Sequence, residues 1–352
     1  MSEAATNTSD AVAGRFAALG PWLAEALGAQ RVEITGMSKL AGGAIQENWS
    51  LDAICEGGSR PGPQAWVLRT DAPSTIATSL PRAEEYAILK VAHAAGVAAP
   101  EPIALCEEES LIGGAFYVMA RGKGTAHARK IVRDPALPQF GAALAEELGE
   151  TLARLHAVTP PVADLAFLPV PERSPVLHRI AQYRADLDAL PGGHPVLEYA
   201  LNWLEDNAPP PQGPVLCHTD FRTGNYMVDG GHLSAVLDWE FASWNDPDED
   251  IGWLTARCWR FGNDGCEVGG VAGLDPFLAG YERVAGRKVA RAILPYWQVM
   301  AELRWAIIAL QQGERCNSGT EITLELALTG VMPPEMELNI LNLIDMIEEP
   351  QP

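Results

Sequence analysis

A chain of 352 residues with 47% hydrophobic content is long enough for two domains, or for one large bilobal unit, around ordinary cores. Its formal charge of -21 works against nucleic acid as a partner, because affinity for that polyanion comes mainly from Lys and Arg neutralising phosphates, and solubility is the ordinary use of such a surplus. Six cysteines without a single C-x-x-C pair argue against both a disulfide framework and a zinc site, and read mostly as small buried hydrophobes.

The chain opens without a basic start followed by an apolar stretch and cleavage site, so a cytoplasmic protein is expected. A first amphipathic helix is predicted over residues 10–27. After it, "RVEITGMSKLAGGAIQENWSLDAIC" alternates as two strands joined at Gly42 and Gly43, and "AWVLRT" supplies a third after the turn-rich "EGGSRPGPQ". "PRAEEYAILKVAHAAG" reads as a helix with Pro81 and Gly96 as start and stop signals, and "EPIALC" and "AFYVMAR" as two more strands. The predicted order is βββαββ.

Composition changes from strand-forming to helix-forming around Gly122, which places a lobe boundary there, with "RGKGTAH" as connector. Two domains are therefore expected, residues 1–122 and 123–352. From about Gln139 the pattern is helical, with Phe140, Leu144, Leu148, Leu152 and Leu155 on one stripe. "TPPVADLAFLPVPERSP" and "NAPPPQGP" are Pro-rich loops. Residues 299–310, "VMAELRWAIIAL", carry Glu302 and Arg304, so they read as a packed helix rather than a membrane span, and no membrane partner is expected.

The least ordinary segment is residues 216–250, "LCHTDFRTGNYMVDGGHLSAVLDWEFASWNDPDED", where carboxylates crowd two apolar runs. A carboxylate there is expensive unless something pairs with it. "NYMVD" and "LSAVLDW" read as strands flanking a turn at Gly230 and Gly231, which puts Asp220 and Asn225 just before a hairpin and Asp238 at its far end. The D-x-x-x-x-N spacing with a returning Asp supplies oxygen ligands of the kind Mg²⁺ prefers. Phosphoryl transfer needs one carboxylate to accept the substrate hydroxyl proton, and an Asn with another Asp to hold metal on the nucleotide phosphates.

"HTDFRTGN" followed by "LDWE" resembles the H-G-D-x-x-x-x-N and downstream Asp motifs of aminoglycoside phosphotransferase-like kinases. In order and spacing, "LAGGAIQENW", "WVLRTDAP", "FYVMARGKG", "LARLHAV", "CWRFGN" and "YWQVMAELRWA" further resemble one subgroup, the phosphotransferase domains related to those fused to acyl-CoA dehydrogenases in some animal proteins. The resemblance covers most of the chain. It implies an α+β, protein-kinase-like bilobal fold, with a small β-rich lobe that binds nucleotide and a larger, mainly helical lobe. It also implies ATP or GTP with Mg²⁺ as cofactors, Asp220 as catalytic base, and Asn225 and Asp238 as magnesium ligands. Thr219 stands where the motif has Gly, which an ordinary backbone conformation would accommodate.

Other residues follow from the same correspondence. The full G-x-G-x-x-G of a kinase loop is absent, and Gly42 and Gly43 read either as a hairpin turn or as the phosphate-covering loop. Arg69 stands where a kinase keeps its phosphate-pairing lysine; Arg is usual there in the resembled subgroup, which favours a working variant. Glu85, sixteen residues on, would form the strand-helix ion pair that orients it, while Glu84 faces elsewhere. Met119 and Arg121 are counted with these as cofactor-binding. His218 reads as scaffold, Glu240 as an exposed strand-end carboxylate with contact to a second metal as the alternative, and Asp246 and Asp250 as bonding the catalytic loop's N–H groups or capping a helix that begins near Glu249.

Arg222, inside the catalytic loop, is counted with Asp220 as catalytic. With Arg257 and Arg260 it would mark an anionic acceptor if all three face the reaction; pairing with the abundant acidic residues explains them equally well. Trp239, Trp244, Trp253, Trp259, Trp297 and Trp305 read as core packing for the most part, with an apolar acceptor pocket as the alternative. The expected function is a kinase for a small hydroxylated acceptor. The alternatives are a non-catalytic nucleotide-binding module, suggested by Arg69 and the missing glycine motif, and a metal-dependent hydrolase, which leaves the β-rich lobe unexplained.

Overall fold

In a computed structural model, residues 14–40, 46–71 and 79–349 are described, and they divide into two compact units. Gly42 and Gly43 lie outside the described residues.

The first unit holds the described residues up to 94, residues 98–123 and residues 239–241. Helix α1 (Leu19–Leu27) is followed by β1 (Arg31–Lys39), β2 (Gln46–Glu56), β3 (Gly62–Asp71), helix α2 (Arg82–Ala94), β4 (Pro102–Cys106) and β5 (Phe116–Ala120), the βββαββ order read from the sequence. One antiparallel sheet results, ordered β1-β2-β3-β5-β4. Period-two alternation sorts its side chains. Trp66 and Leu68 of β3 join Leu19, Leu23, Leu51, Phe116 and Val118 in a core against α1, so Arg69 points from the other face, towards Glu85 of α2. Of the helix expected over residues 10–27, residues 14–15 and Leu19–Leu27 are helical, with a turn at 16–18, and residues 10–13 lie outside the described ones.

The second unit is mainly helical: α3 (Ala128–Val132), α4 (Leu137–His156), α5 (Pro175–Asp188), α6 (Pro195–Asp206), α7 (Pro247–Thr255), α8 (Leu274–Ala285), α9 (Leu294–Asn317), α10 (Leu324–Thr329) and α11 (Pro333–Glu348). Leu144, Leu148, Leu152 and Leu155 form the buried stripe of α4 that their spacing predicts. α4 and α8 approach closely because each has a glycine at the crossing. A Cβ on Gly149 would stand 2.1 Å from the Phe277 carbonyl oxygen, and one on Gly280 2.2 Å from that of Glu146. One core packs Leu197, Leu201 and Leu204 of α6 with Trp297, Met300, Leu303 and Ile307 of α9 and Ile340 and Ile344 of α11. Among the described residues no helix is long and apolar enough to cross a membrane.

Two small ladders interrupt these helices. β6 (Val215–Cys217) pairs with β9 (Ser243–Asn245), and β7 (Tyr226–Asp229) with β8 (His232–Val236) around Gly230 and Gly231, both at positive φ. The hairpin is where the sequence placed it. β9, three residues long, is too short for alternation to reveal. All six cysteines are free thiols; Cys55, Cys106 and Cys217 are buried, the other three partly exposed.

Candidate active site

The loop from β6 to β7 carries Asp220 and Asn225, and every part of it is tied down. The His218 ring donates from Nε2 to the Leu237 carbonyl at 2.8 Å, and its Nδ1 accepts the Asp220 amide at 3.2 Å, so both ring nitrogens serve the backbone. His218 is scaffold, as expected. Asp250, fully buried on α7, accepts the His218 amide at 2.8 Å and the Thr219 amide at 2.7 Å. Burial pushes its carboxyl upward, but bonds from His156 and these amides bring it below the usual range. Asp246 caps α7 by accepting the Asp248 amide, and the helix starts at Pro247 rather than near Glu249.

Thr219 corrects one expectation. Its backbone lies in the left-handed region, φ 59°, not in an ordinary one, and the same holds for Asp238, φ 61°. β-branched residues avoid that region because Cβ crowds the backbone. The surroundings hold it there: Asp250 takes its N–H, and Nη1 of Arg304 donates to its carbonyl.

Three donors fix the Asp220 carboxylate. Trp253 Nε1 donates to Oδ1 at 2.9 Å, Arg222 Nε to the same oxygen at 3.2 Å, and Asn225 Nδ2 to Oδ2. A carboxylate offers about four acceptor positions, so one on Oδ2 is left to receive a hydroxyl.

The donor set suits magnesium. Asn225 spends its amide nitrogen on Asp220, at the carboxylate and at the carbonyl (3.0 Å), so that its Oδ1 is the atom that could serve a metal as a hard oxygen ligand. The Leu237 amide bonds the Asn225 carbonyl at 2.7 Å, so Asp238 follows directly from the residue paired with Asn225. Both oxygen donors therefore come to the same end of the β7–β8 hairpin.

Arg222 lies over the Trp259 ring, 4.4 Å from its centroid, and Trp259 in turn meets Trp253 at 5.1 Å and Trp305 at 4.8 Å. Arg257 and Arg260 are occupied by their surroundings. The first bonds Asp264 and Asn339, the second the carbonyls of Thr255 and Asp264, so of the three arginines only Arg222 touches Asp220. Glu302, buried on α9, takes the Cys258 amide at 3.0 Å and so fixes the turn Arg257–Trp259.

In the first unit the ion pair expected between Arg69 and Glu85 is present, with Nε 3.0 Å from Oε1. Nη1 donates to Asn48 at 3.4 Å, and Nη2 lies 3.9 Å from Glu240. Arg82 bonds Glu85 as well, and Asp71 at 3.0 Å. Glu240 is the second correction: rather than an exposed strand-end group it is buried, accepting Gln46 and, at 2.6 Å, Ser79. Met119 sits in β5 opposite Val67, and Arg121 bonds Ser50 and Asp52 of β2.

Residues 37–303 match the model of the family described as "Phosphotransferase enzyme family". The chain belongs to that family. It is 32% identical over 208 residues to acyl-CoA dehydrogenase family member 11 of Gallus gallus, a match covering 55% of the chain but only 25% of that relative. Its fold is the kinase-like fold of the aminoglycoside phosphotransferases. A Ralstonia eutropha protein named as a candidate aminoglycoside phosphotransferase superposes with TM-score 0.74 at 20% identity, covering 94% of this chain and 98% of that one. A thermostable mutant of aminoglycoside phosphotransferase APH(4)-Ia, solved with ADP and hygromycin B, superposes with TM-score 0.59 at 15% identity over 95% of this chain and all of that one.

Two residues of the candidate site were not singled out for it by the sequence: Trp253 as a hydrogen-bond donor to Asp220, and Arg304. Trp253 stood only among six tryptophans, and nothing local distinguishes a core indole from one whose N–H meets a carboxylate. Arg304 read as a charge in a packed helix, 85 residues from the carbonyl it holds.

Proposed function

We propose that the protein transfers the γ-phosphate of ATP or GTP to a hydroxyl of a small molecule. The observation that carries this reading is the Asp220 carboxylate, held by three donors with one acceptor position left, beside the oxygen donors Asn225 and Asp238. Asp220 accepts the acceptor's hydroxyl proton and aligns its oxygen. Asn225 and Asp238 hold Mg²⁺, which neutralises charge on the nucleotide phosphates. Arg69, fixed by Glu85 and Asn48, pairs the phosphates in place of the usual lysine; Gly42, Gly43, Met119 and Arg121 complete the nucleotide contacts. Catalysis is then mostly positioning and electrostatics. Family membership supports this reading, as does the ADP and hygromycin B bound to the neighbouring fold.

Arg222 is the one arginine at Asp220, so it is the group that would meet negative charge on an acceptor. The division at residue 122 separates nucleotide binding from acceptor binding, and helices α8 to α11 build the acceptor side.

The test is thermal unfolding with ATP and Mg²⁺, separately and together, since a ligand that binds only the folded state raises the midpoint. A metal-dependent rise lost in Asp238→Ala is expected, followed by ADP release with hydroxylated acceptors that falls about 10²–10⁴-fold in Asp220→Asn. No rise with any nucleotide overturns the reading. A rise without transfer to any acceptor leaves a nucleotide-binding module.

A further inference from the structure

One guanidinium touches both the residue before Asp220 and one of the three donors to its carboxylate. Arg304, on α9, donates from Nη1 to the carbonyl of Thr219, the residue immediately before Asp220. The same guanidinium lies over the Trp253 ring, 4.3 Å from its centroid. That indole is the one whose Nε1 donates to Asp220 Oδ1 at 2.9 Å.

The backbone explains why such a hold is needed. Thr219 sits at φ 59°, a conformation glycine adopts freely and a β-branched residue resists. Asp250 secures the amide side of Thr219, and Arg304 secures the carbonyl side. Without Arg304, Thr219 loses the hold on its carbonyl side, and relaxation towards negative φ rotates the peptide leading into Asp220. The Trp253 ring loses one of its two stacking contacts at the same moment, keeping Trp259. Arg suits this double task because its planar group donates at the edge while its face stacks on an aromatic ring, whereas Lys is a point charge that does one or the other.

We propose that Arg304 is a positioning residue for the catalytic loop, setting the Asp220 carboxylate through the Thr219 carbonyl and the Trp253 ring. The proposal rests on Asp220 as the base, and its test separates the two claims. It also distinguishes a positioning role from a general tie between helix and loop. A general tie would be missed equally whatever residue stands at 219; the proposed role is needed because Thr stands there.

The experiment compares the full chain as wild type, Arg304→Lys, Arg304→Met, Thr219→Gly and the double variant Thr219→Gly/Arg304→Met. The first readout is the ¹H–¹⁵N signal of the Trp253 indole, assigned with Trp253→Phe; the second is the thermal midpoint. The indole signal is expected to move upfield in Arg304→Met, to move less in Arg304→Lys, and to recover at least half its displacement in the double variant, with the midpoint following. On any hydroxylated acceptor that the wild type phosphorylates, Arg304→Met lowers kcat about tenfold while KM for ATP stays within about twofold, since misplacing a catalytic group acts on the chemical step. An unmoved indole signal in Arg304→Met, or a double variant no better than Arg304→Met alone, overturns the proposal. Should Arg304→Met fail to fold, the comparison passes to Arg304→Lys with and without Thr219→Gly, where an equal displacement in both backgrounds overturns it. If the indole signals behave as expected but the wild type phosphorylates nothing, the phosphotransfer reading fails and the positioning of Asp220 stands.

Discussion

Arg82 donates to the same Glu85 carboxylate that pairs with Arg69, so one fully buried carboxylate carries two guanidinium groups. Removing either partner type has unequal consequences, because a buried charge left alone costs more than one that keeps a partner. Arg69→Ala leaves Glu85 with Arg82 and is expected to cost about 1–3 kcal/mol. Glu85→Ala takes the shared carboxylate from two buried arginines at once, leaving Arg69 with Asn48 and Arg82 with Asp71, and should cost about 3–5 kcal/mol. Urea unfolding of the two variants checks the order, and equal losses would contradict the shared-carboxylate account.

Asp250 is the anchor of the catalytic loop, taking two backbone amides and His156. Asp250→Ala leaves two buried N–H groups unsatisfied and is expected to lose roughly 3 kcal/mol, read as a fall in thermal midpoint. Its depressed carboxyl also has a pH signature. Stability from it is complete above the unfolded carboxyl value of about 4 and disappears as pH falls through the lower folded value. Asp250→Asn, which cannot titrate, should lose that share of the acid dependence below about pH 4.

Asp246 behaves in the opposite sense. Burial, with Asp248 nearby, pushes its carboxyl up to about 7. Between about pH 4 and 7 the unfolded chain releases this proton and the folded chain keeps it, so rising pH lowers stability across that window and no further above it. Asn still caps a helix, so Asp246→Asn should flatten the change in urea midpoint between about pH 4 and 7. An unchanged slope would mean that Asp246 is ionised throughout.

Gly149→Ala places a methyl against the Phe277 carbonyl, a contact that no side-chain rotation relieves. Helices α4 and α8 must separate, at a cost of about 3 kcal/mol. A thermal midpoint within a degree of wild type would show that the two helices slide apart easily.

The sequence disclosed what local pattern encodes. Alternation gave β1 to β5, and the D-x-x-x-x-N spacing with a returning Asp marked Asp220, Asn225 and Asp238 as one group. The strand-helix spacing paired Arg69 with Glu85. What it hid depends on residues brought together from far apart. Thr219 looked compatible with ordinary backbone because its supports lie 31 and 85 residues away. Glu240 looked exposed because its partners, Gln46 and Ser79, precede it by 194 and 161 residues. Trp253 shows the same limit: burial by an indole is legible from composition, the direction of its N–H is not.

Helix α9 brings Glu302 to the turn that seats Trp259, and Arg304 to Thr219, one residue beyond the segment matched by the family model. The C-terminal helices are therefore no interchangeable cassette. A hybrid that borrowed another enzyme's α9 to recognise a new compound would inherit that enzyme's grip on the loop, or none. On the proposed function, altering what is phosphorylated and altering how fast it is phosphorylated would become one event, so new specificity would arise by changes that spare Glu302 and Arg304.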